Sequence, residues 1–254
     1  MKPIVWIEVC LAFLIGLWVT NVRAGPCSLI PDLSAGAPQV QIGGKTETIS
    51  AVKHLENCAE VIARAGTVFV AYKASGEQKV KACPLGESCG IDSESKPSFL
   101  ANVDRTAQSA GQKLDENFAR LASTPYGKIM DPEKAATFNF ALVGSEVKAF
   151  KLSDAQNSTL FEDAKGGSSL VIPNEKLRPG GKYRWEIITA KGKHAGGFDI
   201  LEEKKRSEIA KDLSEAKRKK AGASAFELKL EELAVLVDNG LRYEGEILRK
   251  ELKI

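Results

Sequence analysis

The chain is short of aromatic residues, histidine and net charge. Phe, Trp and Tyr make up 7% of its 254 residues, and 36 Lys and Arg nearly balance 33 Asp and Glu. Nucleic-acid binding uses a basic stripe interleaved with aromatic rings, so we expect no nucleic-acid partner. With His54 and His194 as the only histidines, general acid–base work would fall to carboxylates, and the pattern places no pair of these in a recognisable cleft. The sequence therefore predicts a protein that is not an enzyme and has no cofactor.

Long hydrophobic runs are also missing. The longest, residues 9–19, has eleven residues, whereas a membrane-spanning helix needs about 20. Lys2 precedes this run and Val22-Arg23-Ala24 follows it, a pattern typical of a signal peptide. We expect residues 1–24 to be a signal peptide cleaved after Ala24, with retention as an anchor as the alternative. The protein is then exported, periplasmic or secreted, without an integral membrane span after cleavage.

Cysteines are few, and cleavage makes their number even. Loss of Cys10 leaves Cys27, Cys58, Cys83 and Cys89, and an exported chain oxidises such thiols to disulfides. Three connectivities are possible; we favour Cys83 with Cys89 and Cys27 with Cys58. The alternative is a zinc or thiol site formed by His54 with Cys58, Cys83 and Cys89, which lacks the paired C-x-x-C spacings of such sites.

A short motif raises the possibility of a secreted serine hydrolase. Gly86-Glu87-Ser88-Cys89-Gly90 is a G-x-S-x-G sequence, which in hydrolases carries the nucleophilic serine at a strand-to-helix turn. Asp154 or Asp163 and His194 follow in the order of a catalytic triad. The motif needs a helix immediately after it, whereas residues 91–97 are typical of a loop, so the hydrolase at Ser88 is the less favoured alternative.

Residues 25–97 favour a small disulfide-containing β domain. Short β-prone runs are separated by glycines, and residues 67–72 form the clearest strand. The VQIGG of residues 40–44 and the VIARAGTVFV of residues 61–70 resemble the glycine-punctuated strands of the periplasmic FecR-type domain. The resemblance implies an envelope protein, and it identifies no catalytic or ligand-binding residue in this chain.

Residues 98–125 predict a helical spacer. Apolar residues fall on one helical stripe from residue 98 to residue 123, and Pro125 and Gly127 end the pattern. We interpret this segment as a packing helix or a spacer between two β domains.

Residues 126–201 return to the period of a β-strand, in five short runs that predict a sandwich. In the fourth run Tyr183, Trp185 and Ile187 share the face expected to be buried. Just before it, the LRPGGKYRW of residues 177–185 resembles the tyrosine corner of fibronectin type III domains. The resemblance implies structural roles, with the tyrosine hydroxyl bound to upstream backbone, for Leu177, Pro179, Gly180, Tyr183 and Trp185. Only five strands can be identified in the sequence, fewer than a standard sandwich has, so an incomplete or variant Ig-like sandwich is the alternative.

Residues 202–254 are highly charged and helical in pattern. Ser224 and Glu227 form a capping box, and Gly240 is a natural helix stop. Residues 224–252 resemble one tetratricopeptide-type helical hairpin, which we expect to pack on the preceding helix or on the sandwich. The basic run at residues 217–220 is flanked by acidic residues and is interpreted as a solvated helix face.

Together these patterns predict an α+β multidomain protein: a small β domain, a helical spacer, an Ig-like or fibronectin-like β-sandwich and a C-terminal α-helical hairpin. The expected function is that of an exported, non-enzymatic binding or adaptor protein of the cell envelope, with a protein or glycan partner. This expectation is an analogy at the level of the fold, because no motif identifies a ligand. The oligomeric state stays open.

Overall fold

The structure of the chain is a computed structural model, which describes residues 25–91, 95–98, 100–101, 124–140, 146–164, 166–220 and 222–254. The predicted signal peptide, residues 1–24, lies outside the described residues, as does most of the predicted spacer. Both stay predictions. The described part is a mixed α+β fold with several β-sheets and a C-terminal helical region, which confirms the predicted class.

Two sheets form the N-terminal region. A four-stranded sheet has the order β4-β1-β6-β7 and a three-stranded sheet the order β3-β2-β5. Their facing sides share a core that includes Leu29, Val40 and Val70. The strands are β1 (Cys27–Pro31), β2 (Gln39–Ile42), β3 (Lys45–Thr48), β4 (Lys53–Leu55), β5 (Val61–Ala65), β6 (Val68–Ala74) and β7 (Glu77–Ala82).

A five-stranded sheet and a two-stranded sheet follow. Their orders are β11-β10-β13-β14-β8 and β12-β9, and β8 runs parallel to β14 whereas the other pairs are antiparallel. The elements are β8 (Gly127–Ile129), α1 (Pro132–Ala136), β9 (Thr137–Asn139), β10 (Val147–Asp154), β11 (Thr159–Asp163), β12 (Ser169–Val171), β13 (Lys182–Thr189) and β14 (Gly192–Ile200). Sequence analysis missed β8, β11 and α1, which have three, five and five residues.

An aromatic core lies between these two sheets. Trp185 and Ile187 of β13 are fully buried, and Tyr183 nearly so, whereas Arg184 and Ile188 are exposed. This is the predicted alternation, since successive side chains of a strand point to opposite faces. Phe138 stands edge-on to Phe150 and to Trp185.

Three helices form the C-terminal region: α2 (Glu203–Lys219), α3 (Ala225–Asp238) and α4 (Arg242–Leu252). The Ser224 hydroxyl accepts the Glu227 N–H at 3.1 Å, which is the N-terminal half of the expected capping box, and Gly240 has a φ of +74° between α3 and α4. No helix among the described residues is both long enough and apolar enough to cross a membrane.

These helices pack against the N-terminal four-stranded sheet as well as against one another. The ring of Phe226 lies 5.5 Å from that of Phe69 on β6, and Leu230 and Leu233 share a buried cluster with Ile30. The Lys220 ammonium donates to the Val80 carbonyl on β7 at 3.2 Å. Sequence analysis expected the hairpin on the preceding helix or on the sandwich. It did not anticipate this contact with the first sheet.

Candidate functional site

The four described cysteines form two disulfides. Cys27 is joined to Cys58, with Cα atoms 6.1 Å apart, and Cys83 to Cys89, with Cα atoms 4.6 Å apart. These are the two pairs that sequence analysis favoured. In these pairs Cys58, Cys83 and Cys89 have no free thiolate to bind a metal, so the structure lends the zinc or thiol alternative no support.

The G-x-S-x-G sequence is a disulfide-closed loop that covers the edge of β5. The N–H of Gly86 donates to Ala63 O at 2.8 Å, and the N–H of Cys89 donates to Val61 O at 2.9 Å. The Ser88 hydroxyl donates to the Ala59 carbonyl at 3.2 Å. The loop therefore satisfies main-chain groups that an edge strand would leave open.

The residues suggested as triad partners of Ser88 lie in the five-stranded sheet, whereas Ser88 lies in the loop on the edge of the three-stranded sheet. Asp154 closes the turn between β10 and β11 by accepting the N–H groups of Gln156 and Ser158, at 3.0 and 2.8 Å. Asp163 lies on β11 and His194 on β14. Among the described residues, the hydrogen bonds of Ser88 go to Ala59 and Gly90, so the structure does not assemble the triad.

A different serine–histidine pair exists, which sequence analysis missed. Ser28 lies opposite His54 in the pairing of β1 with β4; its hydroxyl is 2.7 Å from His54 Nδ1 and 2.5 Å from the hydroxyl of Ser98. Ser28 and Ser98 are 0% exposed, so no substrate reaches either oxygen. The cluster is a polar cross-link that runs from the buried Ser28 and Ser98 to the exposed His54. Its members are too far apart in sequence to form a motif.

The tyrosine of the predicted tyrosine corner is held by a hydrogen bond to backbone and by ring packing. The Tyr183 hydroxyl accepts the N–H of Arg178 at 2.6 Å, and its ring stacks on Phe198 with centroids 5.1 Å apart. Trp185 Nε1 donates to the Pro125 carbonyl at 2.9 Å. Leu177 is buried, and Gly180, after Pro179, has a φ of +75° and donates to the Ile200 carbonyl at 3.1 Å. Leu177, Tyr183 and Trp185 thus lie in the core, and Gly180 lies in the turn before β13.

A groove in the described part of the chain lies at one end of the five-stranded sheet, over β13 and β14. It has a volume of about 280 Å³. Lys182 lies opposite Asp199 and Arg184 opposite Gly197 in the strand pairing, which places these four on the sheet face away from the aromatic core. The lining residues are Ala155, Lys182, Tyr183, Arg184, Gly197, Phe198 and Asp199.

Close contacts with β13 explain why β14 has a glycine, without a side chain, at the groove. On the groove face, a Cβ at Gly197 would lie 2.8 Å from the Tyr183 carbonyl oxygen, and on the opposite, core face, a Cβ at Gly196 would collide with the Trp185 ring. Neither position accepts a side chain without a shift of its neighbours. Glycine inside a strand often marks a close approach of other groups, and here it leaves a shallow floor between Arg184 and Asp199.

The groove is rimmed mainly by positive charge. Lys182 and Arg184 stand on β13, and Lys128 lies beside Asp199 in the pairing of β8 with β14. Arg184 donates a long hydrogen bond of 3.4 Å to Asn157 Oδ1. Within the described residues, neither lysine lies within ion-pair distance of a carboxylate. Lys193, further along the same sheet face, does pair with Glu186, at 2.8 Å.

A buried carboxylate joins α4 to the segment after β8. Glu244 is 1% exposed, and its Oε1 accepts the N–H groups of Met130 and Asp131, each at 2.8 Å. Burial raises the pKa of this carboxyl, and it raises the pKa values of Tyr126 and Tyr243 to about 12. The carboxylate positions a helix, and it lies outside the groove. Sequence analysis missed it because an acidic residue in a helical pattern is usually exposed.

Comparisons with known proteins identify no family for this chain. No protein-family model matches it, and no curated protein matches it. A solved structure described as "Biofilm associated protein - BSP domain" is similar at a TM-score of 0.20 and 10% sequence identity, covering 71% of this chain and 25% of that chain. A TM-score this low carries no argument, so the groove is interpreted from its own residues.

Proposed function

We propose that the chain is an exported, non-enzymatic binding or adaptor protein of the cell envelope, which holds a protein or glycan partner in the groove over β13 and β14. The observation that carries the proposal is the groove itself, in which the charged residues Lys182, Arg184 and Asp199 lie around the bare backbone at Gly197. Grooves with a few convergent polar groups are the usual sites of recognition. None of the described residues that line it is a serine, cysteine or histidine, which favours binding over nucleophilic catalysis.

Two further observations support export of the chain and a sandwich domain that carries the groove. Disulfides persist in oxidising compartments outside the cytoplasm, so the pairs at Cys27 and Cys83 agree with an exported chain. The hydrogen bond between Tyr183 and Arg178 favours a fibronectin-type or Ig-like sandwich for residues 126–201, the proposed domain that carries the groove. Residues 25–97, similar to a FecR-type domain, and the helical residues 202–254 then serve as its support.

The test blocks the groove without changing its charge. Ala155 is exposed in the β10–β11 turn and lines the groove, so Ala155→Trp should fill it. The matched control is Gln156→Trp, because Gln156 is exposed in the same turn and does not line the groove. Components of a cell-envelope extract that bind the purified protein are identified and purified, and their dissociation constants are measured for wild type and both variants.

We expect Ala155→Trp to weaken binding of a genuine partner at least about tenfold, the equivalent of about 1.4 kcal/mol, and Gln156→Trp to leave it unchanged. Equal binding by all three proteins would remove the groove from the proposal. The hydrolase alternative predicts labelling of Ser88 by a fluorophosphonate probe that Ser88→Ala abolishes. We expect no such labelling.

A further inference from the structure

We infer that the groove recognises an extended acidic peptide segment with Asp or Glu at alternate positions. This inference rests on the proposed function, since it names the partner chemistry for the same groove. It starts from the charge of the groove, where Asp199 is the one acidic lining residue beside Lys182 and Arg184, and where Lys128 is paired with Asp199 from β8; the nearby Glu186 is already paired with Lys193. A ligand with more than one carboxylate complements this surplus of positive charge.

The spacing of the two cations on β13 selects an extended ligand. Lys182 and Arg184 are two residues apart on one strand and are both exposed on the same face, which separates their Cα atoms by about 6.8 Å. Side chains two residues apart in an extended peptide point to one side with the same spacing. A ligand segment with Asp or Glu at two positions separated by one residue, lying along β13, can therefore place one carboxylate beside Lys182 and the other beside Arg184.

The chemistry of the rim suits carboxylates in particular. The guanidinium of Arg184 presents a planar fork that binds a carboxylate through two parallel hydrogen bonds. Its own hydrogen bond to Asn157 Oδ1, at 3.4 Å, is long and leaves donors for a ligand. The Lys182 ammonium has no hydrogen bond or ion pair within the described part of the chain, so no contact must break before it binds a ligand.

The size and lining of the groove favour a peptide over a sugar or a nucleobase. Tyr183 and Phe198 are 5% and 2% exposed, so their rings offer no platform on which a sugar or a base could stack. The volume of about 280 Å³ falls just under the range of about 300–1,000 Å³ for pockets that enclose small molecules. It suits the side chains of a segment that continues outside the groove.

The test measures the binding of fluorescent peptides to the purified protein by anisotropy, at low and at physiological salt. The first peptide alternates Glu with Thr and Val, and the second is its isosteric copy with Gln for Glu. A third keeps the same composition with the Glu residues adjacent, and an oligogalacturonate provides the same carboxylate chemistry on a glycan. The protein variants are Lys182→Gln, Arg184→Gln and Asp199→Asn, with Lys193→Gln as the control from the same sheet face.

We expect the alternating Glu peptide to bind most tightly. Lys182→Gln and Arg184→Gln should each weaken it about five- to tenfold, as the loss of one charge-assisted contact predicts, whereas Asp199→Asn should strengthen it and Lys193→Gln should leave it unchanged. Equal binding of the Gln copy, or equal losses in Lys193→Gln and Arg184→Gln, overturns the inference. Tighter binding of the oligogalacturonate assigns the groove to a glycan and overturns the peptide class.

Failure of this inference can be told from failure of the proposed function. If Ala155→Trp abolishes binding of a purified partner while no acidic peptide binds, the groove is a binding site with another ligand chemistry. If Ala155→Trp leaves both partner and peptide binding intact, the groove itself is the wrong site.

Discussion

The carboxylate of Glu244 on α4 accepts the backbone N–H of Asp131 at 2.8 Å, although 113 residues separate the two in sequence. The same oxygen accepts the N–H of Met130, so one buried side chain fixes the last helix to the turn before α1. Burial raises the pKa of the Glu244 carboxyl; the two backbone N–H groups and the Lys134 ammonium lower it, and the Asp131 carboxylate raises it.

The two functions of this carboxylate, accepting hydrogen bonds and carrying charge, can be separated by substitution. Glu244→Ala removes the acceptor for two buried N–H groups, which should lower the free energy of unfolding by about 1–3 kcal/mol. Glu244→Gln keeps an acceptor oxygen and removes the charge, so it should cost less at neutral pH. Urea unfolding followed by circular dichroism measures both variants. An equal loss in the two would show that the charge, and not the acceptor, matters.

The raised pKa of Glu244 predicts a pH dependence. A carboxyl whose pKa is higher in the folded state binds more protons when folded, so its contribution to stability is complete below the ordinary value of 4.5 and is lost as the pH rises through the folded-state pKa. The stability of wild type relative to Glu244→Gln should therefore be greater at about pH 4.5 than at about pH 7.5. A difference that is constant with pH, or that rises with it, contradicts the prediction.

The hydroxyl of Tyr183 should contribute to stability through its bond to Arg178. Tyr183→Phe keeps the ring on Phe198 and leaves the Arg178 N–H without its acceptor, which should lower the free energy of unfolding by about 1–2 kcal/mol. Lys182→Gln, next to it and exposed, serves as the control and should change stability by less than about 0.5 kcal/mol. Equal midpoints of chemical unfolding for Tyr183→Phe and wild type would deny the hydroxyl any stabilising role.

The two disulfides should stabilise the protein to different extents. Cys27 and Cys58 are 31 residues apart in sequence, and Cys83 and Cys89 are six apart. In the chain-entropy model, replacing the first pair by serine costs about 4 kcal/mol and replacing the second costs about 2 kcal/mol. Thermal unfolding of the two double variants tests the order, and a larger loss at the short loop would contradict it. Non-reducing intact-mass analysis and peptide mapping check both pairings.

Local patterns predicted the elements that local chemistry determines. The alternation in β13 predicted its buried face, because a strand has a fixed period of two, and Ser224 and Glu227 predicted the start of α3, because a capping box needs only four residues. The apolar run of β6 predicted a strand. It did not show that both faces are buried, since the second face is covered by helices more than a hundred residues later in the sequence.

The groove could not be predicted because it depends on strand register. The sequence predicts a strand that begins at Gly197, but that this glycine forms part of a groove follows only from its pairing with Arg184. The same holds for Lys128, which reaches the rim through a parallel pairing between distant strands. The G-x-S-x-G motif, by contrast, is visible in the sequence and suggests a catalytic serine. In the structure it is a disulfide-closed loop on the edge of β5 and not a strand-to-helix turn.

The packing of α3 on β6 and β7 predicts that the C-terminal helices and the N-terminal sheets unfold together. Leu233 is buried in the cluster that contains Ile30 and Phe69, so Leu233→Ala should cost about 2–5 kcal/mol. Because the cavity opens between the two regions, hydrogen exchange of the β6 amides should accelerate as much as that of the α3 amides. Ile188→Ala, at a side chain 45% exposed on β13, is the control and should leave both unchanged. Protected β6 amides beside unprotected α3 amides would instead show that the helices unfold as a separate unit.

Deletion of residues 203–254 tests the same coupling. We expect the deletion to expose Phe69 and Ile30 and to unfold the first sheet, whereas a first sheet that stays folded would contradict the prediction.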